Sequence, residues 1–144
     1  MKFDAVPKEQ WPQWEAYVDT VLIPWSALCG SEMPWEMHGR LALVRDVMEP
    51  LERAFAGRVL TIPAVHYGVG DAGWQEVSTV ARMCRVRGVA FVVVAAPHVP
   101  TGMCSKAVDL IVCPDGAYIV KEGQWVVWEQ PMHPLVALWN TSIV

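Results

Sequence analysis

The chain has 144 residues and a formal net charge of −4, with 53% hydrophobic and 18% charged residues. That length suits one domain whose core needs no covalent staples. The acidic balance argues against a nucleic-acid partner, because binding a phosphate backbone needs a broadly basic surface.

The first element is predicted as a helix over residues 7–20, with Trp11, Trp14, Val18 and Val21 on one stripe and its regular part beginning at Pro12. A strand over Thr20–Trp25 and a loop over Ser26–Trp35 follow. The second helix is the clearest element. Leu41, Val44, Met48, Leu51 and Phe55 recur at helical spacing, while Arg40, Arg45, Glu49, Glu52 and Arg53 take the other face. Gly57 is placed to stop this helix and Pro50 to kink it.

Arg58–Ile62 reads as the second strand and residues 63–72 as a loop. A third helix is predicted over Gly73–Arg87, with Trp74, Val77, Val80, Ala81 and Cys84 facing inward. The basic cluster Arg82, Arg85 and Arg87 falls at its C-terminal end, where cations offset the helix dipole. Val89–Ala96 is an apolar run of eight residues. It is far short of the roughly 20 that a membrane span needs, and it suits a central strand covered on both faces. Val108–Cys113 is a fourth strand, whose orientation the eleven-residue link from Pro97 to Ala107 leaves open. Asp115-Gly116 and Glu122-Gly123 mark the turns of an antiparallel meander through Ala117–Val120 and Trp125–Trp128. A final helix is predicted over Pro131–Asn140. The expected fold is therefore a single α/β domain over residues 1–144. It has an open, mostly parallel sheet with helices on both faces (three layers, α-β-α) and a short antiparallel meander near the C-terminus.

Four predicted strands end in proline, at Ile23-Pro24, Ile62-Pro63, Ala96-Pro97 and Cys113-Pro114. Proline cannot donate to a ladder and so marks strand exits. Parallel strands put their exits on one edge, the carboxyl edge at which open α/β sheets bind ligands. The polar residues of these exit loops are Ser26, Cys29, Ser31, Glu32, Glu36 and His38, then His66, Tyr67 and Asp71, then His98, Thr101 and Cys104. Glu36, His38, His66, Tyr67 and His98 are the candidate cleft residues. Glu36, His38 and His66 are the candidate ligands of a divalent metal, since imidazole and carboxylate are the usual donors. No cofactor is otherwise expected. Gly68-Val69-Gly70 with Gly73 gives a G-x-G-x-x-G pattern. Five residues separate it from Ile62, too many for a dinucleotide-binding turn, and Asp71 is simply read as a helix cap.

Two resemblances follow from particular residues. Tyr17-Val18-Asp19-Thr20-Val21-Leu22-Ile23-Pro24, Leu51 to Leu60, and Ile62-Pro63 resemble the YpiF-type family of small bacterial proteins, a domain of unknown function. That resemblance implies a cytosolic protein and no established activity. Gly30-Ser31-Glu32, Glu36-Met37-His38-Gly39 and residues 62–68 are similar to the opening of creatininase-type amidohydrolases. There a Glu-x-His-Gly motif and a downstream Asp supply metal ligands, which implies Glu36, His38 and Asp46 here. The downstream Glu-containing motif of that family has no counterpart in this chain.

No complete catalytic motif is present, and the eight tryptophans with low charge favour surface binding. The expected function is that of a non-catalytic cytosolic accessory or ligand-binding domain. The alternative is a metal-dependent amidohydrolase-like enzyme. A homodimer is expected, with Trp125, Trp128 and Trp139 as its surface. The four scattered cysteines are expected as free thiols in a cytoplasmic protein without a signal peptide or membrane segment.

Overall fold

The computed structural model describes residues 1–100 and 104–141. Thr101, one of the polar exit-loop residues, lies outside them. The elements are α1 (Trp11–Trp14), β1 (Thr20–Leu28), α2 (Pro34–Ala54), β2 (Val59–Thr61), β3 (Val65–Tyr67), α3 (Gly70–Val86), β4 (Phe91–Ala95), β5 (Leu110–Cys113), β6 (Gly116–Lys121), β7 (Gln124–Val127) and α4 (Pro134–Thr141). The seven strands form one sheet in the order β2-β1-β4-β5-β6-β7, with β3 also paired to β1. β1 runs parallel to β2, β3 and β4, and β4 parallel to β5, which settles the orientation of the strand after the long link. β6 and β7 complete the sheet as the predicted antiparallel meander.

The three-layer arrangement follows from the apolar patterning. One face of β1 presents Val21, Ile23, Trp25 and Ala27 to Trp74, Val77 and Ala81 of α3. The other presents Leu22 to Val44, Met48 and Leu51 of α2, and Leu135 and Trp139 of α4 pack into the same cluster. Burying a Val or Leu side chain contributes about 1.5–3 kcal/mol, so these two clusters hold the layers together. The connection β1-α2-β2 moves toward one edge of the sheet, and β3-α3-β4 moves back across β1 toward the other. With crossovers of one hand, their helices must then lie on opposite faces, as α2 and α3 do.

Several elements differ from the sequence-based expectation. The first helix is a single short segment, Trp11–Trp14, and Val21 belongs to β1, so the Trp11–Val21 stripe is not a continuous helical face. Leu41, predicted in the α2 core stripe, is exposed; the buried face of α2 begins at Val44. Pro24 does not end β1, which runs on to Leu28. The Thr20 N–H donates to the Arg58 carbonyl at 3.3 Å, and the Leu22 carbonyl accepts from the Ile62 N–H at 3.1 Å. Even-numbered residues of β1 therefore aim their backbone groups toward β2. The missing N–H of Pro24 falls where that neighbour is interrupted, between Thr61 and Val65, and so costs no ladder bond. The neighbour then resumes as β3, and the Gly68 N–H donates to the Leu28 carbonyl at 2.8 Å.

At the other end of β1 the last helix is fastened by its tryptophan. The Trp139 indole N–H donates to Thr20 Oγ1 at 2.9 Å, and the Arg58 guanidinium lies 3.8 Å from the centre of the Trp139 ring. Arg58 also pairs with both Asp19 carboxylate oxygens. Trp139, expected at a dimer surface, is thus buried in the core of the chain itself. Trp125 and Trp128 are half-buried as well. Trp125 packs edge-on against Trp74, and the Trp128 indole N–H donates to the Met132 carbonyl at 2.8 Å.

His133 caps the approach to α4. Desolvation beside the Phe55 ring, centroids 5.1 Å apart, holds its pKa below the usual 6.5, and its Nδ1 accepts the Leu135 N–H at 3.1 Å. A depressed histidine pKa means that the unfolded chain binds the proton more readily. The stabilisation is therefore fully present above about pH 6.5 and is lost as pH falls from there through the lower folded-state pKa. Thermal melts from pH 7.5 to 5.5 should show a falling Tm whose slope is shallower in His133→Gln. Equal slopes in the two proteins would show that His133 does not titrate with folding.

Candidate functional site

The carboxyl end of β1 is where the predicted polar residues can be placed. Leaving the strand, the chain turns at Cys29 and Gly30, and Glu32 closes that turn. Its carboxylate accepts the Cys29 N–H at 2.8 Å and the Gly30 N–H at 2.9 Å, and these backbone donors hold its pKa down at about 2. Arg40 of α2 reaches back to the Ala27 carbonyl at 3.1 Å, tying the helix to the strand end.

Ser26 is the polar residue that this end of β1 buries, at 1% exposure. Its hydroxyl lies 3.1 Å from His66 Nδ1, on the neighbouring strand β3. Both line a pocket of about 360 Å³ under α2, together with His38 and Arg45 and the apolar Pro24, Val44 and Met48. A buried hydroxyl, two imidazoles and a guanidinium over an apolar wall can orient a small ligand with one polar end.

The five predicted cleft residues do not share this pocket. His38 and His66 do. Glu36 is the third residue of α2, where its carboxylate accepts the Met33 N–H at 3.0 Å, and it caps the helix in place of facing the pocket. Tyr67, the last residue of β3, stands 60% exposed and does not line the pocket. His98 follows β4 at the carboxyl edge but on the α3 side of the sheet, with its ring 6.3 Å from that of Trp25. Adjacent residues of a strand point to opposite faces, so Trp25 and Ser26 carry their histidines to opposite layers.

The proposed metal set Glu36, His38 and His66 is therefore not assembled. Among the described residues no three His, Cys, Asp or Glu side chains are grouped to hold a metal ion. Asp46 is exposed on α2 with Arg45 at 3.5 Å, outside this pocket.

The G-x-G-x-x-G pattern follows a strand and not a five-residue loop. The strand resumes as β3 up to Tyr67, so Gly68 follows it directly and Gly70 opens α3. Gly68 (φ +113°) and Gly70 (φ +60°) take the left-handed backbone that glycine permits. Gly73 sits against the Gly68 carbonyl, which in turn accepts the Trp25 indole N–H at 3.0 Å. The glycines thus serve a close turn-to-helix contact. Asp71 does not cap α3: that position is Val69, and Asp71 lies in the first turn.

Comparison with protein-family models, with curated proteins and with solved structures finds no match to this chain.

Proposed function

We propose that this chain is a non-catalytic binding domain, and that a small amphipathic carboxylate seats in the pocket between Ser26, His38 and His66. The observation that carries this reading is the Ser26–His66 hydrogen bond at the carboxyl end of β1. It places a buried, orientable hydroxyl beside an imidazole where α/β sheets bind ligands. Arg45, which also pairs with Asp46 at 3.5 Å, brings a guanidinium to the lining, and the α2 side supplies an apolar wall. Binding is favoured over catalysis because, among the described residues, no carboxylate is bonded to His66 to orient its ring as a general base. Metal-dependent hydrolysis would need Glu36, which is engaged at the helix cap. The four free thiols fit a reducing, cytosolic compartment, and no helix among the described residues is long and apolar enough to cross a membrane.

A thermal-shift screen of short aliphatic and aromatic carboxylates, with zinc chloride alone in parallel, tests the proposal. At least one carboxylate should raise Tm in the native chain, and the affinity of that compound should fall about tenfold in His66→Ala and in Ser26→Ala, the loss of one charge-assisted or buried hydrogen bond. Stabilisation by zinc alone, abolished in His38→Ala, would favour the metal reading. Carboxylate binding untouched by either pocket variant would overturn the assignment.

A further inference from the structure

A second groove lies on the other side of the sheet, between α3 and the segment Cys104–Ala107 that leads into β5. It measures about 830 Å³ and is lined by Ser78, Arg82 and Arg85 of α3 and by Ser105 and Lys106. It contains three cationic side chains and no acidic one, in a chain whose net charge is −4.

The cations are not equivalent. Arg85 is committed to structure. It pairs with Asp109 and donates to the Ala107 carbonyl at 3.1 Å and the Ala90 carbonyl at 2.6 Å. Arg82 donates to the Thr79 hydroxyl at 3.1 Å, and among the described residues neither it nor Lys106 has a carboxylate partner. Both are exposed at the rim and available to an anion.

The independent observation is Ser78. It is 3% exposed, and its hydroxyl has no hydrogen-bond partner. Leaving a buried hydroxyl unsatisfied is costly, and the other buried hydroxyl side chains each have a partner: Thr20 with Asp19, Ser26 with His66, Thr61 with Glu52. On α3, Ser78 and Arg82 stand one helical turn apart on the face that lines the groove.

We propose that this groove binds a phosphate-type oxyanion, with the Ser78 hydroxyl, the Arg82 guanidinium and the Lys106 ammonium as donors. Hydroxyl and cationic donors complement the several acceptor oxygens of a tetrahedral anion, and charge-assisted bonds of this kind are the strong ones. The site is separate from the Ser26–His66 pocket, which lies under α2.

The test is a titration of the full chain with inorganic phosphate at constant ionic strength, followed by amide NMR, with chloride as reference. The amides of Ser78, Arg82, Ser105 and Lys106 should move on one saturable curve. The double variant Arg82→Gln, Lys106→Gln, altered only at exposed positions, should bind about tenfold more weakly or worse. Ser78→Ala should also weaken binding while leaving Tm unchanged or higher, because it removes a hydroxyl that has no partner in the protein. A parallel titration with glycerol phosphate separates the two sources of the anion. Tighter binding of the ester assigns the groove to a phosphorylated small molecule, and tighter binding of inorganic phosphate to the free ion. The proposal fails if phosphate produces no saturable shift, if chloride reproduces it, if the double variant binds as tightly as the native chain, or if Ser78→Ala lowers Tm.

Discussion

Replacing Trp139 with alanine is expected to destabilise the protein by about 4 kcal/mol, the usual range for emptying a buried indole site. The side chain is 6% exposed in the cluster that joins α2, α4 and the sheet. Its loss would remove the edge-on contact with Phe55 at 4.9 Å, the 2.9 Å bond to Thr20, and the ring under Arg58. Docking of α4 rests on this residue together with the buried Leu135, since an eight-residue helix is marginal without tertiary packing. Trp35→Ala is the control. That tryptophan is 71% exposed, so its removal should stay within about 0.5 kcal/mol. Denaturant unfolding of both variants measures the contrast. A Trp139→Ala loss under about 1 kcal/mol would show that α4 does not hold this face of the sheet.

The second large effect is expected at Gly73. A Cβ there would fall on the Gly68 carbonyl group and 2.9 Å from Cζ2 of Trp25. Its backbone neighbours cannot yield as a flexible side chain can. Gly73→Ala should therefore cost about 3 kcal/mol, the upper part of the overpacking range. Displacing Gly68 would also strip the Trp25 indole N–H of its acceptor. The same exchange at Gly39 should have the opposite sign. That glycine lies inside α2 with nothing within 4 Å of a built Cβ. Gly39→Ala should stabilise by about 0.5–1 kcal/mol through helix propensity and reduced unfolded-state freedom. Equal effects at the two positions would contradict the close contact between the turn and α3.

That contact also explains how much of the architecture was legible in the sequence. The apolar stripes of α2 and α3 and the run Phe91–Ala95 are periodic over long windows; the last two are realised, and the α2 stripe is realised from Val44 onward. Pro24 predicts a strand end near Trp25, yet β1 runs on to Leu28. Whether a proline breaks a ladder depends on which neighbour its missing N–H faces, and Pro24 faces the gap between β2 and β3. Neither the three-residue β3 nor the short partner gap carries a periodic signal of its own. Missing β3 in turn put Gly68 in the middle of a loop, when it directly follows a strand.

For the candidate site, topology was legible and facing was not. Parallel strands did bring His66 and His98 to the carboxyl edge, as the exit argument requires. Their separation into two layers turns on single-residue register, because Trp25 and Ser26 point opposite ways. Glu36 was a candidate by motif, yet the start of α2 claims its carboxylate. Ser78 carried no signal in sequence at all. Its interest comes from burial without a partner, which only packing reveals.

The most direct test of the account is which histidine rings respond together when a carboxylate found to stabilise the chain is titrated in, read from the ring resonances of His38, His66 and His98. His38 and His66 should shift in parallel with the Ser26 amide while His98, against Trp25 in the other layer, stays still. Parallel movement of His98 with His66, or no movement of His66 on saturation, would contradict it.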